Sequence, residues 1–135
     1  MRGEKNAYGY KQLTVWQKAM GLVMHVYKAA SNFPAHEQYG LGSQMRRCAV
    51  SIPSNIAEGY GRNSNKEMVR FLDIAKGSLY ELDTQLEISR QLDYLDAQKH
   101  KTIFNLLDET SRLLSGLRKS KHTPHPSPLT PQSSS

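Results

Sequence analysis

Apolar residues in this chain recur at intervals of three and four, in four separate blocks, and no block alternates like a strand. That spacing stacks side chains on one side of a helix with 3.6 residues per turn. Four amphipathic helices joined by short links can bury their apolar sides only against one another. The expected fold is therefore all-α, an antiparallel up-down-up-down four-helix bundle.

The first block runs from about Thr14 to Phe33. Trp16, Met20, Val23, Tyr27 and Ala30 form its expected core stripe, widened by Val15, Leu22, Val26 and Phe33. Pro34 disfavours helix in the residue before it and ends the block. The second spans about Leu41 to Glu58, with Leu41, Met45, Cys48, Ile52 and Ile56 inward and Gly59 and Gly61 as its C-terminal cap. Ser64 and Glu67 make a capping box that starts the third, which continues to about Leu92 on Met68, Phe71, Leu72, Ala75, Leu79, Leu82 and Leu86. Asp96 is the expected N-cap of the last helix, whose stripe is Ile103, Leu106, Leu107, Thr110, Leu113, Leu114 and Leu117. Residues 1–12 read as a loosely ordered lead-in and 13–119 as the bundle. Residues 120–135, with four prolines and five serines, read as a disordered tail.

The second helix carries more than a core stripe. Gln44, Arg47, Ser51, Asn55, Glu58 and Arg62 follow steps of three and four, a continuous polar stripe. Val50 and Ala57 form a smaller apolar strip on another side, and the first helix is also over-broad in its apolar arc. A monomeric bundle needs about one apolar face per helix, so the excess predicts a homo-oligomer. Pro53 removes a backbone hydrogen bond in mid-helix, and Ser or Asn side chains are expected to serve the freed carbonyl. Gly77 costs about 1 kcal/mol against alanine inside the third helix. Close approach of a neighbouring backbone is its expected compensation.

The net charge is +6, and residues 1–62 hold eight Lys and Arg against three Asp and Glu. A basic half of this kind suits an acidic partner such as nucleic acid, where released counterions favour phosphate binding. The candidate phosphate contacts are Arg46, Arg47 and Arg62, then Lys11, Lys18 and Lys28. One cysteine excludes an internal disulfide framework, and no apolar run approaches the roughly 20 residues that span a bilayer. A cytoplasmic protein with no membrane association is expected.

Enzymatic chemistry finds little footing. Asn55, Glu58 and Arg62, with Glu81 and Gln85 from the third helix, read as a structural polar network that satisfies buried charge. The weaker alternative is a catalytic pair at Glu58 and Glu81. "GYGRNS" follows a helix and lacks the third glycine of a phosphate loop. The histidines have no ligand spacing, and Cys48 falls on the core stripe. No enzyme activity, metal or cofactor is expected.

Taken together, "LTVWQKA", "FPAHEQYGLGSQMRRCAVSIPSNIAEGYGR" and "FLDIAKGSLYELDTQL" resemble the four-helix-bundle proteins encoded in 23S rRNA intervening sequences. The resemblance covers most of the chain before residue 120. It implies a homopentameric ring, and a distant similarity to the accessory variability proteins of diversity-generating retroelements. The family pattern falls on Arg47, Asn55, Glu58, Gly59, Gly61, Arg62, Gly77, Ser78, Glu81 and Gln85, with Asp83 where relatives often carry Glu. The combined expectation is a ring-forming, non-enzymatic protein that binds RNA or DNA through a basic surface with little sequence reading. The alternative is an oligomeric scaffold for a protein partner such as a reverse transcriptase or other polymerase.

Overall fold

A computed structural model describes residues 6–121 of the chain. The segment expected as a disordered tail lies outside the described residues from 122 onward, while Ser120 and Lys121 belong to the last helix. Four α-helices follow a short 3-10 turn at Gly9–Gln12: α1 Thr14–Ser31, α2 Leu41–Tyr60, α3 Asn65–Gln91 and α4 Ala97–Lys121. Each packs on its sequence neighbour, α4 closes on α1, and the backbones of the diagonal pairs stay apart among the described residues. This is the antiparallel four-helix bundle.

Local chemistry explains the boundaries. Ser64 caps α3 by accepting from the Glu67 amide at 3.1 Å, and Asp96 Oδ1 accepts from the Lys99 amide at 2.8 Å at the start of α4. Each such cap is worth about 1 kcal/mol. Between α3 and α4, Asp93 takes a left-handed conformation (φ 62°), which Asp and Asn tolerate better than most residues. The link from α1 to α2 is tied by side chains: Gln38 Nε2 donates to the carbonyls of Ala30 (2.9 Å) and Phe33 (3.0 Å). The Glu37 carboxylate accepts from the Leu41 amide at 3.0 Å and from the Tyr94 hydroxyl at 3.0 Å.

The core follows the expected stripes in α2, α3 and α4, with Met45, Ile52, Ile56, Leu72, Leu79, Leu82, Leu86, Ile103 and Leu114 buried. In α1 the inward face is shifted within the expected arc. Val23 and Ala30 of the expected stripe are buried together with Val15, Ala19, Leu22, Val26, Ala29 and Phe33, whereas Trp16 and Met20 are half-buried and Tyr27 is exposed. Two apolar stripes lie side by side on this helix, and periodicity alone does not rank them. The buried one carries Ala19 and Ala29, whose small size lets α1 sit close to its neighbours.

Two glycines exchange their expected roles. Gly59 lies within α2 rather than capping it, and a Cβ there would meet the Met68 carbonyl oxygen and the Phe71 Cβ, both at 3.1 Å. Its reason is therefore the close approach of α3. Gly77 has nothing within 4 Å of the same position, so no neighbouring backbone among the described residues compensates for it. The cap after α2 is Gly61 in a right-handed conformation. α2 runs through Pro53, which is buried. The nearby side chains do not take up the carbonyl of Ala49: Ser51 donates to Cys48 O (2.9 Å), and Asn55 donates to Ser51 O (2.8 Å).

Candidate nucleic-acid interface

The polar stripe of α2 faces α3, and the link between them runs through small groups. The Ser51 hydroxyl, which donates to Cys48 O, accepts from the Ser78 hydroxyl, and Cys48 Sγ donates to the Ser78 carbonyl at 3.1 Å. Of the residues expected as an interhelical network, Asn55, Glu58 and Gln85 find partners close by in sequence, while Glu81 also lies against Cys48 of α2. Asn55 reaches Ser51 O, Glu58 pairs with Arg62, and Gln85 Nε2 donates to Glu81 at 3.4 Å. Helical i,i+4 spacing places these local partners within reach. Gln85 is buried, and its Oε1 has no hydrogen-bond partner among the described residues. An open polar groove lies along this seam, lined by Gln44, Arg47, Cys48, Ser51 and Glu81.

Cys48 is unsuited to nucleophilic work. Burial pushes its thiol up to about 12, and the neighbouring Glu81 carboxylate adds to the rise. A thiol so held is protonated at neutral pH, and the thiolate is the reactive form. Among the described residues, no group of three or more His, Cys, Asp or Glu is placed to hold a metal ion. No described helix is long and apolar enough to cross a membrane.

The six basic candidates do not form one cluster. Arg46 is spent on the fold: Nη2 donates to the Gln38 carbonyl at 2.7 Å, beside the Tyr27 ring. Arg47 is exposed and has no ion-pair partner within 4.0 Å among the described residues. Lys28 borders a cavity of about 180 Å³ between α1 and α4, with His25, Asn32, Gln98, Lys99 and Thr102 around it. Lys18 pairs with Glu109 of α4 at 3.3 Å. Lys11 lies over the Tyr8 ring at 5.7 Å, and Arg62 lies over the Phe71 ring at 4.6 Å. Arg47 and Arg62 are 15 residues apart, roughly 22 Å along a helix axis.

Antiparallel packing regroups the charge in a way that sequence halves hide. The start of α1, the end of α2, the start of α3 and the end of α4 share one end of the bundle. The Arg118–Asp73 bond (Nη2 to Oδ2, 3.2 Å) and the Lys18–Glu109 pair join them. Cutting each helix at its middle places residues 6–22, 51–78 and 109–121 at this end, with ten Lys and Arg against four Asp and Glu, or +6. The opposite end, residues 23–50 and 79–108, has six against seven, or −1. Lys11, Lys18 and Arg62 belong to the basic end. Lys28, Arg46 and Arg47 do not. Reading along the sequence missed Lys66, Arg70, Lys76, Arg112, Arg118, Lys119 and Lys121, which complete it. The signal was available, because an up-down topology brings the last turn of α4 to the first turn of α3.

The family model for the 23S rRNA-intervening sequence protein matches residues 11–116. Among curated proteins, none matches. A solved structure from Bacteroides thetaiotaomicron is similar: a protein of unknown function from the S23 ribosomal protein family, 24% identical. It covers 78% of this chain and 99% of its own, with a TM-score of 0.71. At that identity the likeness extends to the fold.

Proposed function

The chain belongs to the 23S rRNA-intervening sequence protein family, and from that premise we propose that it is a non-enzymatic, homo-oligomeric nucleic-acid-binding protein. It holds RNA or DNA by the phosphates, at the basic end of the bundle, with little sequence reading. The carrying observation is the division of charge, +6 at one end against −1 at the other. A field of one sign concentrated on one end attracts a polyanion more strongly than the same charge spread evenly. Contacts to phosphate position the ligand and carry no sequence information. Assembly as a closed ring, a pentamer by family resemblance, brings several such ends together and multiplies the field.

Fluorescence anisotropy of a labelled 20-nucleotide single-stranded RNA, titrated across salt concentrations, tests this reading. Binding is expected at low salt, with log K falling linearly against log salt. Lys119→Ala/Lys121→Ala is expected to weaken binding and flatten that slope by about one to two units. An affinity indifferent to both salt and these substitutions would overturn the reading.

A second reading, an accessory scaffold for a protein partner such as a polymerase, is favoured by exposed aromatics away from the basic end. Tyr39 is 96% exposed and Tyr80 62%. A reverse transcriptase, by analogy with the retroelement accessory proteins, is one such partner. That scaffold predicts partner binding that survives high salt and fails on replacing these tyrosines.

A further inference from the structure

The outer side of α3 carries a second stripe that the bundle does not use. Ile74, Gly77, Glu81, Ile88 and Leu92 are spaced three, four, seven and four residues apart, so they lie on one line along the helix. Ile74, Ile88 and Leu92 are 44%, 42% and 51% exposed. At Gly77 no described residue comes within 4 Å of where a side chain would begin, and open space lies there. A glycine retained at a helical cost, flanked by exposed branched apolar residues, is what close approach of another helix requires.

A second unpartnered face lies on another side of the molecule. Tyr10, Trp16, Met20, Val23, Val50, Pro53, Ser54 and Ala57 line an open groove of about 280 Å³ between α1 and α2. Exposed Met24 and Tyr27 continue it along α1. The α1 wall from Trp16 to Tyr27 is about 17 Å long, and the α3 stripe from Ile74 to Ile88 is about 21 Å. Arg47, which lines the polar α2/α3 groove with Glu81, lies three residues before Val50 and seven before Ser54, on the side of α2 that borders the apolar groove. Neither Arg47 nor Glu81 has an ion-pair partner within 4.0 Å among the described residues.

We infer that the α3 stripe of one copy of this chain docks in the α1/α2 groove of the next. Gly77 lets the helices come together, and Glu81 meets Arg47 at the groove's rim. The inference rests on the homo-oligomer reading above and specifies its interface. Two different faces of one chain in contact make a heterologous interface, the kind that closes a ring when its rotation permits. Matching apolar faces hold the contact, and the opposed charges at its rim set the register.

Light scattering coupled to size exclusion on the full chain tests this with three sets of variants. Wild type is expected to run as an oligomer and Ile74→Asp/Ile88→Asp as a monomer of unchanged helicity by circular dichroism. Neither isoleucine belongs to the buried core, so the monomer is expected to stay folded. Arg47→Glu and Glu81→Arg are each expected to raise the dissociation constant by about tenfold or more, and the double reversal to restore it. Gly77→Leu is expected to dissociate the oligomer while the monomer stays folded. An oligomer untouched by all of these changes would overturn the interface but leave the homo-oligomer reading standing. A monomeric wild type would overturn both.

Discussion

Alanine at Gly59, in the last turn of α2, and alanine at Gly77, in the middle of α3, are the same chemical change, yet the structure predicts opposite signs. The substitution gains about 0.8–1.0 kcal/mol of helix propensity at Gly77, and at most that at Gly59 near the helix end. At Gly77 the new methyl meets nothing within 4 Å, so the gain is kept in full. At Gly59 it lies 3.1 Å from the Met68 carbonyl oxygen and 3.1 Å from the Phe71 Cβ. Neither is the end of a flexible side chain. Relief requires α3 to move outward by a few tenths of an ångström, against a seam anchored by buried Ile56 and Leu72. Overpacking of this kind costs about 1–3 kcal/mol, leaving a net loss of up to about 2 kcal/mol. The two variants should therefore differ by about 1–3 kcal/mol. Urea unfolding followed by circular dichroism measures this, in the Ile74→Asp/Ile88→Asp background so that assembly does not contribute. Equal stabilisation by both alanines would refute the claim that α2 and α3 meet backbone to backbone at Gly59.

Arg46→Ala should cost about 1.5–3 kcal/mol through loss of its bond to the Gln38 carbonyl, with RNA affinity unchanged; thermal melts and anisotropy together check both halves. The Glu37 carboxyl is held below its ordinary value of 4.5, first by the Leu41 amide and then by the Tyr94 hydroxyl. A lowered folded pKa means that its stabilisation is fully present above that ordinary value and is lost as pH falls through the folded pKa. Glu37→Gln should thus be less stable than wild type at pH 7, with the gap shrinking below pH 4.5 in denaturant titrations. Cys48, with its thiol pushed up to about 12, should resist iodoacetamide at pH 8 in the folded protein and react at the ordinary rate in urea, as mass spectrometry would show. Fast alkylation of the native chain would mean the thiol is not held as described.

Much of the fold could be read from spacing because helix signals are local. Ser64 with Glu67 marked the start of α3, Asp96 the start of α4, and the stripes of α2, α3 and α4 point inward as expected. What spacing could not rank was the choice between two adjacent apolar stripes on α1, because both satisfy the same period. The reasons for Gly59 and Gly77 depend on what stands opposite, which one chain's local pattern does not encode. Charge was the hardest to read. Counting along the sequence drew attention to Arg46 and Lys28, whereas antiparallel packing gathers Arg62 with Lys66, Arg118 and Lys121 from distant segments. Arg46 also shows why a residue type is not a role: its guanidinium is engaged in closing the α1–α2 link.

The central claim is that copies of this chain assemble and carry nucleic acid by their basic ends. Light scattering coupled to size exclusion, with and without a 20-nucleotide single-stranded RNA at low and high salt, tests it most directly. One oligomeric particle is expected in every condition, gaining the mass of RNA at low salt and losing it at high salt. An oligomer that takes up no RNA at low salt, or a monomer throughout, would contradict it.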